Sequence, residues 1–388
     1  MAQPSVFDPV TQDDIRDLLT PRSAPAVSIY QPAHRAGPEA EQNILRYKNL
    51  LSDAEAKLTE HGVSNSDKGG ILKPARALLD RTEFWRHQLD GLAVFAAPDF
   101  FRVLKLPHEA EELVVVGDSP HVTPLLPAMT QGHFYILAVS METLRLFRST
   151  RHTIEEVELA DVPKSLAEAT RYDDYQKKNL QRHPTSRAGV GGRTMQHGHG
   201  PGDEDLKVEI RRYFQAVDAG VCRMLSVDGA PLVVAAVDYL INMYRHVTDY
   251  RNVVEKGIEG NPDQLAARQL LERARPIVDP IFHEPVLKAG DKYGRVVASG
   301  LAFCELTDVL SGAHTGRIES LLVLRGERRW GVYRPEEGHA VTHDDPEPTD
   351  VDLVDLATRQ ALLHGGSVYL VERNEMPCEG PMAAVFRY

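Results

Sequence analysis

The chain has 388 residues, 42% hydrophobic and 26% charged, with a formal net charge of −12. That length exceeds one ordinary core and predicts two or three domains of a globular protein. The acidic balance excludes a general nucleic-acid coat, no apolar run approaches the roughly 18 residues that cross a membrane, and the opening MAQPSVFDPVTQDD has no signal-peptide pattern, so a cytoplasmic protein is expected.

The first segment is expected over residues 1–129. Val27-Ser28-Ile29-Tyr30 reads as a short strand ended by Pro32. Ile44, Tyr47, Leu51, Ala54 and Leu58 recur at three- and four-residue spacing and predict a helix. Ile71, Ala75, Leu78, Thr82, Trp85 and Leu89 predict a second. Leu92–Ala96 and Leu113–Val116 are apolar runs of strand length, as in buried strands of an α/β layer. Pro120, Pro124 and Pro127 mark a stiff boundary.

The second segment, 130–284, opens with two strands, His133–Val139 and Leu144–Arg148, and a weaker one at Ile154–Leu159. A polar helix is expected from about Lys164 to Leu180. Leu206, Ile210, Tyr213, Val217 and Val221 mark the buried face of a long helix whose first turn Asp203 can cap. Pro231–Val237 predicts a central strand, and Asn261-Pro262-Asp263 a helix start.

The third segment, 285–388, predicts a helix over Val286–Leu310, strands at Ile318–Leu324 and Trp330–Tyr333, a helix over Val351–Leu363, and strands at Ser367–Val371 and Met382–Arg387. These compose a small α/β/α sandwich. The acidic blocks Glu109–Glu112 and His343–Asp352 read as solvated turns. Cys222, Cys304 and Cys378 are far apart, odd in number and without a C-x-x-C pair, which predicts reduced thiols.

Between the polar helix and the long helix lies KKNLQRHPTSRAGVGGRTMQHGHGPG, residues 177–202. It holds five Lys/Arg, three His and six Gly with no Asp or Glu, so it cannot bury itself and is suited to reaching an anionic partner. Gly191-Gly192 leaves the backbone free to approach a ligand closely, and Arg182, Arg187 and Arg193 can fork onto phosphate oxygens. His197 and His199 are expected to add charge to RNA contacts. A metal-dependent hydrolase or nuclease using His197, His199 and Asp203 is the weaker alternative, because two imidazoles two residues apart make a poor site without further ligands. No Walker loop, dinucleotide fingerprint, nucleophile elbow or H-E-x-x-H helix occurs, so neither cofactor nor resident metal is expected.

Three features in order resemble the archaeo-eukaryotic class-one peptide-chain release factors and their relative Pelota, and more closely the bacterial archaeo-eukaryotic release factor homologues. Val27–Tyr30 followed by a helix with Gln42-Asn43-Ile44 is similar to the lead-in of that family's codon-reading motif. The glycine-rich segment ahead of a long helix is similar to its middle domain. Gly316-Arg317-Ile318-Glu319-Ser320-Leu321-Leu322-Val323 and the closing Gly380–Tyr388 are similar to its last domain. The resemblance implies three α/β domains, the middle one RNase H-like with a projecting basic loop over 182–202, the last like small RNA-binding ribosomal proteins. It further implies the ribosome and tRNA as partners, a translational GTPase as a further candidate, and hydrolysis of peptidyl-tRNA as the chemistry if there is any. The family's Gly-Gly-Gln then falls on Gly191-Gly192-Arg193, with Gln196 three residues on. Arginine has donors but no acceptor, so it cannot accept a proton from water; backbone groups near Gly192 and Arg193, with Gln196, would have to place it. The family's Lys-Ser after Asn-Ile is replaced by Leu45-Arg46, which argues against stop-codon reading. A non-catalytic, Pelota-like module that binds ribosomes or RNA is the alternative.

Overall fold

The computed structural model describes residues 10, 12–20, 23–35, 38–130, 132–171, 203–347 and 349–388. It is a mixed α/β structure with several sheets. Two compact units are formed, one from Met1–Gln131 with Phe282–Tyr388, the other from Gly132–Ile281.

In the first unit, α1 (Gln12–Leu19) precedes β1 (Ala26–Pro32), α2 (Pro38–Glu60), α3 (Asn65–Arg76) and α4 (Thr82–Arg86). Strands β2 (Gly91–Ala97), β3 (Phe100–Leu106) and β4 (Leu113–Gly117) complete an antiparallel sheet of order β3-β2-β1-β4. Side chains alternate between its faces. Val27, Ile29, Val94 and Val116 pack with Tyr47, Leu51, Leu58 and Leu72, while Tyr30, Ala93 and Phe95 pack with Leu18, Val122 and Leu125. Both faces are therefore covered, which is why these strands read as unbroken apolar runs. The helix expected to continue from Ile71 to Leu89 is instead two, because the chain turns between Arg76 and Thr82; Trp85 Nε1 donates to Leu78 O across that turn. Asn43, from the tripeptide compared above, is buried and braces the entry to α2, donating to His34 O and accepting from His34 N. Ile44 and Leu45 beside it are exposed.

A short helix, α5 (Leu126–Thr130), ends the first stretch of this unit. Its second stretch holds a sheet of order β10-β16-β11-β15, built from β10 (Ala302–Phe303), β11 (Ile318–Leu324), β15 (Ser367–Val371) and β16 (Met382–Phe386). Helices α10 (Leu306–His314) and α11 (Leu353–Leu363) cover one face, and Ala289 and Tyr293 of α9 (Ala267–Val296) the other. This is the expected α/β/α sandwich. A small sheet of order β13-β12-β14 joins β12 (Trp330–Arg334), β13 (His339–His343) and β14 (Val351–Asp352).

Several expectations are corrected here. The helix predicted over 286–310 ends at Val296; Gly300 takes φ +72° and turns the chain into β10 before α10 begins. Cys304 and Cys378 form a disulfide, joining the start of this sheet to the turn before β16, and Cys222 alone is free. The His343–Asp352 block is solvated over Asp344–Glu347, as expected, but Asp350 and Asp352 at its end and the nearby Asp355 are buried.

The second unit is a five-stranded sheet of order β7-β6-β5-β8-β9, with β5 (Phe134–Val139), β6 (Leu144–Ser149), β7 (Ile154–Val157), β8 (Leu232–Ala236) and β9 (Ile258–Glu259). β6 alone runs against its neighbours, while β5, β8 and β9 are parallel. That order and polarity are RNase H-like, as expected. α6, described over residues 166–171, α7 (Asp203–Leu225) and α8 (Asp238–Val247) belong to this unit. The buried stripe of α7 is Ile210, Tyr213, Phe214, Val217, Val221 and Leu225. Its Asp218 accepts hydrogen bonds from Tyr244 Oη, Thr248 Oγ1 and the Asp249 N–H, which pins the helix to the end of α8. Burial and Asp218 together push the Cys222 thiol up to about 11, so this cysteine is unreactive at neutral pH.

Candidate functional site

The residues singled out in sequence, namely Arg182, Arg187, Gly191, Gly192, Arg193, Gln196, His197 and His199, all lie outside the described residues. What the structure defines is the pair of supports from which that segment departs. On the leading side, Ser165 and Glu168 cap α6 reciprocally: Glu168 N donates to Ser165 Oγ, and Glu168 Oε2 accepts from Lys164 N. The Leu166 N–H donates to Met141 O at 2.9 Å, which fixes the start of α6 beside the β5–β6 turn.

On the following side stands α7. Its carboxyl end, Leu225, leads through Asp228 into the start of β8, and Asp228 accepts from His133 Nε2 at 2.7 Å and Tyr135 Oη at 3.1 Å beside the start of β5. α7 therefore runs opposite to β5 and β8, and its amino end lies toward their carboxyl ends. Twenty-three residues of helix span about 34 Å, roughly twice a five-residue strand, so α7 reaches that edge with length to spare. Both supports of the basic segment thus converge on the carboxyl edge of the parallel strands.

At this edge of the sheet is a crevice of about 240 Å³. Its walls are the turns that follow β5 (Val139–Glu142), β8 (Val237, Tyr239, Leu240) and β9 (Asn261–Asp263). The chain leaves β5 toward β6 and leaves β8 toward β9, so the strand order reverses between β5 and β8, and the crevice outside such a switch point is where open α/β sheets bind ligands. Thr143 Oγ1 donates to Asp263 Oδ1 at 2.5 Å, tying the β5–β6 turn to the segment after β9. Asn261 Oδ1 accepts from Asp263 N, so Asn261-Pro262-Asp263 is a side-chain-closed turn, and the helix expected there begins only at Ala267.

Tyr213 was placed on the buried face of α7, but its polar end is the informative part. The ring is 2% exposed and its hydroxyl has no hydrogen-bond partner among the described residues. Burial, then the carboxylates of Glu168 and Asp263, raise its pKa well beyond the ordinary phenol range. A neutral donor is thereby held at the base of the segment, between α6, α7 and the β9 turn. No sequence pattern singles it out, since its spacing is that of any core residue.

β5 and β8 carry no carboxylate, and the crevice walls hold neither histidine nor cysteine. Among the described residues this edge offers neither a nucleophile–base pair nor a ligand set for two metal ions.

Residues 134–280 match the family described as Bacterial archaeo-eukaryotic release factor family 7. No curated protein matches the chain. Of solved structures, the archaeal translation termination factor aRF1 is 12% identical, over 98% of this chain and 99% of that one, with a TM-score of 0.23. Pelota of Archaeoglobus fulgidus is 16% identical over 76% of this chain and 79% of its own, with a TM-score of 0.33. Dom34 of S. cerevisiae, a translation termination-like factor, is 10% identical over 77% and 74%, with a TM-score of 0.28. These overall likenesses are low; the likeness to the bacterial archaeo-eukaryotic release factors is that of residues 134–280, the unit that brackets the basic segment.

Proposed function

We propose that the protein is a cytoplasmic, ribosome-directed factor of the release or rescue type, which presents the basic loop 182–202 to the CCA end of a peptidyl-tRNA. The observation that carries this reading is the convergence of α6 and α7 on the carboxyl edge of the family-matched sheet. A cationic segment leaving from that edge would be available to a partner at one end of the domain. No helix among the described residues is long and apolar enough to cross a membrane. The partners in this reading are the ribosome and tRNA, with a translational GTPase as the delivering factor.

The chemistry proposed is hydrolysis of the ester between peptide and tRNA. Backbone N–H groups around Gly192 and Arg193 would stabilise the developing oxyanion, and Gln196 would help to hold the attacking water. Arg193 stands where the family has glutamine, and this favours a second reading: docking on stalled ribosomes without hydrolysis. Gly192→Ala separates the two. Lost release with retained ribosome binding supports hydrolysis, whereas lost binding alone supports a docking arm. Elemental analysis addresses the metal-dependent reading through His197, His199 and Asp203, which requires stoichiometric zinc or manganese.

A further inference from the structure

We propose that the unit formed by the two ends of the chain holds a binding site for a small organic cation, an ammonium or guanidinium group, in the cavity between the end of β4, β12 and α11. The cavity measures about 390 Å³, within the range of small-molecule sites. Its walls combine half-buried aromatic rings, Trp330 and Tyr333, with the carboxylates of Asp118, Asp350, Asp352 and Asp355.

Asp352 decides the chemistry. It is 5% exposed, and its Oδ1 is committed to the fold, accepting from Val354 N at the start of α11 and from Arg329 N. Its Oδ2 has no hydrogen-bond partner among the described residues; His121 Nε2 stands 3.9 Å away, beyond hydrogen-bond reach. A buried carboxylate oxygen without a donor costs about 1–3 kcal/mol or more unless something supplies one. Burial raises the Asp352 pKa, as expected for a carboxylate short of positive charge.

Asp355 and Asp350 already have partners, whereas the Nε of Arg359 has none among the described residues. Asp355 Oδ1 accepts from Val122 N, Thr123 N and Thr123 Oγ1, and lies 3.4 Å from His121 Nδ1. Arg359, the guanidinium in the wall, donates to Ser119 Oγ and faces the Asp355 charge. Asp350 is hydrogen-bonded to His343 at 2.8 Å. An anion entering here would meet four carboxylates. A cation would enter among carboxylates, beside the residue whose buried Oδ2 lacks a donor and beside two aromatic rings, whose faces attract cations through their quadrupoles.

The test is calorimetric titration of the full-length protein with agmatine, with guanosine as an uncharged N–H donor and the tripeptide Gly-Arg-Gly as a side-chain-borne guanidinium. Saturable agmatine binding is expected, weakened about tenfold in Asp352→Asn, which keeps the Oδ1 acceptor but loses the charge. Trp330→Leu is expected to weaken it as well and decides the matter should Asp352→Asn fail to fold. Binding of agmatine assigns the site to a free cation; binding of the tripeptide alone assigns it to a partner's arginine. No binding of either cation, guanosine binding in their place, or full agmatine affinity in both variants overturns the proposal.

Discussion

Gly220, in the last two turns of α7, lies so close to Val162 that a Cβ built on it would stand 2.2 Å from Val162 Cγ2. Val162 belongs to the strap between β7 and α6, so this contact presses together the two supports from which the basic segment leaves. Glycine within a helix usually costs about 1 kcal/mol relative to alanine. Here the close approach requires it. Gly220→Ala is expected to destabilise the protein by about 1–3 kcal/mol, reversing the usual sign, and Gly220→Ala with Val162→Ala is expected to recover part of that loss. Urea unfolding of the two variants checks it; a stabilised Gly220→Ala would contradict the packing described.

Tyr213→Phe removes a buried hydroxyl that has no partner among the described residues. Its removal is expected to leave stability unchanged or raise it by up to about 1 kcal/mol. A loss above about 1 kcal/mol on urea unfolding would mean that the hydroxyl is paired in solution.

Burial works to raise the Asp228 carboxyl, but hydrogen bonds from His133, Ala230 N and Tyr135, with the His133 charge, outweigh it and leave the carboxyl below its ordinary value. A depressed folded value means that the unfolded chain takes up the proton first. The stabilisation is therefore full above the unfolded value of about 3.9 and is lost as pH falls through the folded one. The stability difference between the wild type and Asp228→Asn is expected to be larger at pH 5 than at pH 3, as read by urea unfolding; a difference that grows on acidification would contradict the assignment.

The Cys304–Cys378 bridge spans 74 residues. Closing a loop of that length stabilises by an upper bound of about 4 kcal/mol. Titration with a thiol reagent in denaturant is expected to find one free thiol before reduction and three after. Cys378→Ser is expected to lower the denaturation midpoint; three thiols in the freshly purified protein would contradict the bridge.

What the sequence made legible follows from local physics. Leu92–Ala96, Leu113–Val116 and Pro231–Val237 were readable as strands because both faces of their sheets are covered, so nearly every residue is apolar. β3 was missed for the opposite reason: as an edge strand it is only partly buried and carries Arg102 and Lys105 within FFRVLKL. The strand order of the middle sheet came only through the family resemblance, since no periodicity encodes which strands become neighbours. The disulfide was illegible on the same ground: spacing does not say that β10 and the turn before β16 meet. The end of the block His343–Asp352 misled because charge density predicts solvation only when nothing folds over it. In this protein it supplies the cap of α11 and a wall of the cavity. The supports of the basic segment were visible only as isolated helices, and their convergence on one sheet edge is a tertiary fact.

The account rests on the segment 182–202 acting as the ribosome-directed arm. The most direct measurement is co-sedimentation and peptide release with stalled ribosome–nascent-chain complexes at moderate salt. It compares the wild type with a variant in which Arg182, Arg187 and Arg193 are replaced by serine. The wild type is expected to co-sediment and the variant to lose binding at least about tenfold, with an affinity that falls as salt rises. Equal binding by both proteins, or neither binding nor release by the wild type, would contradict it.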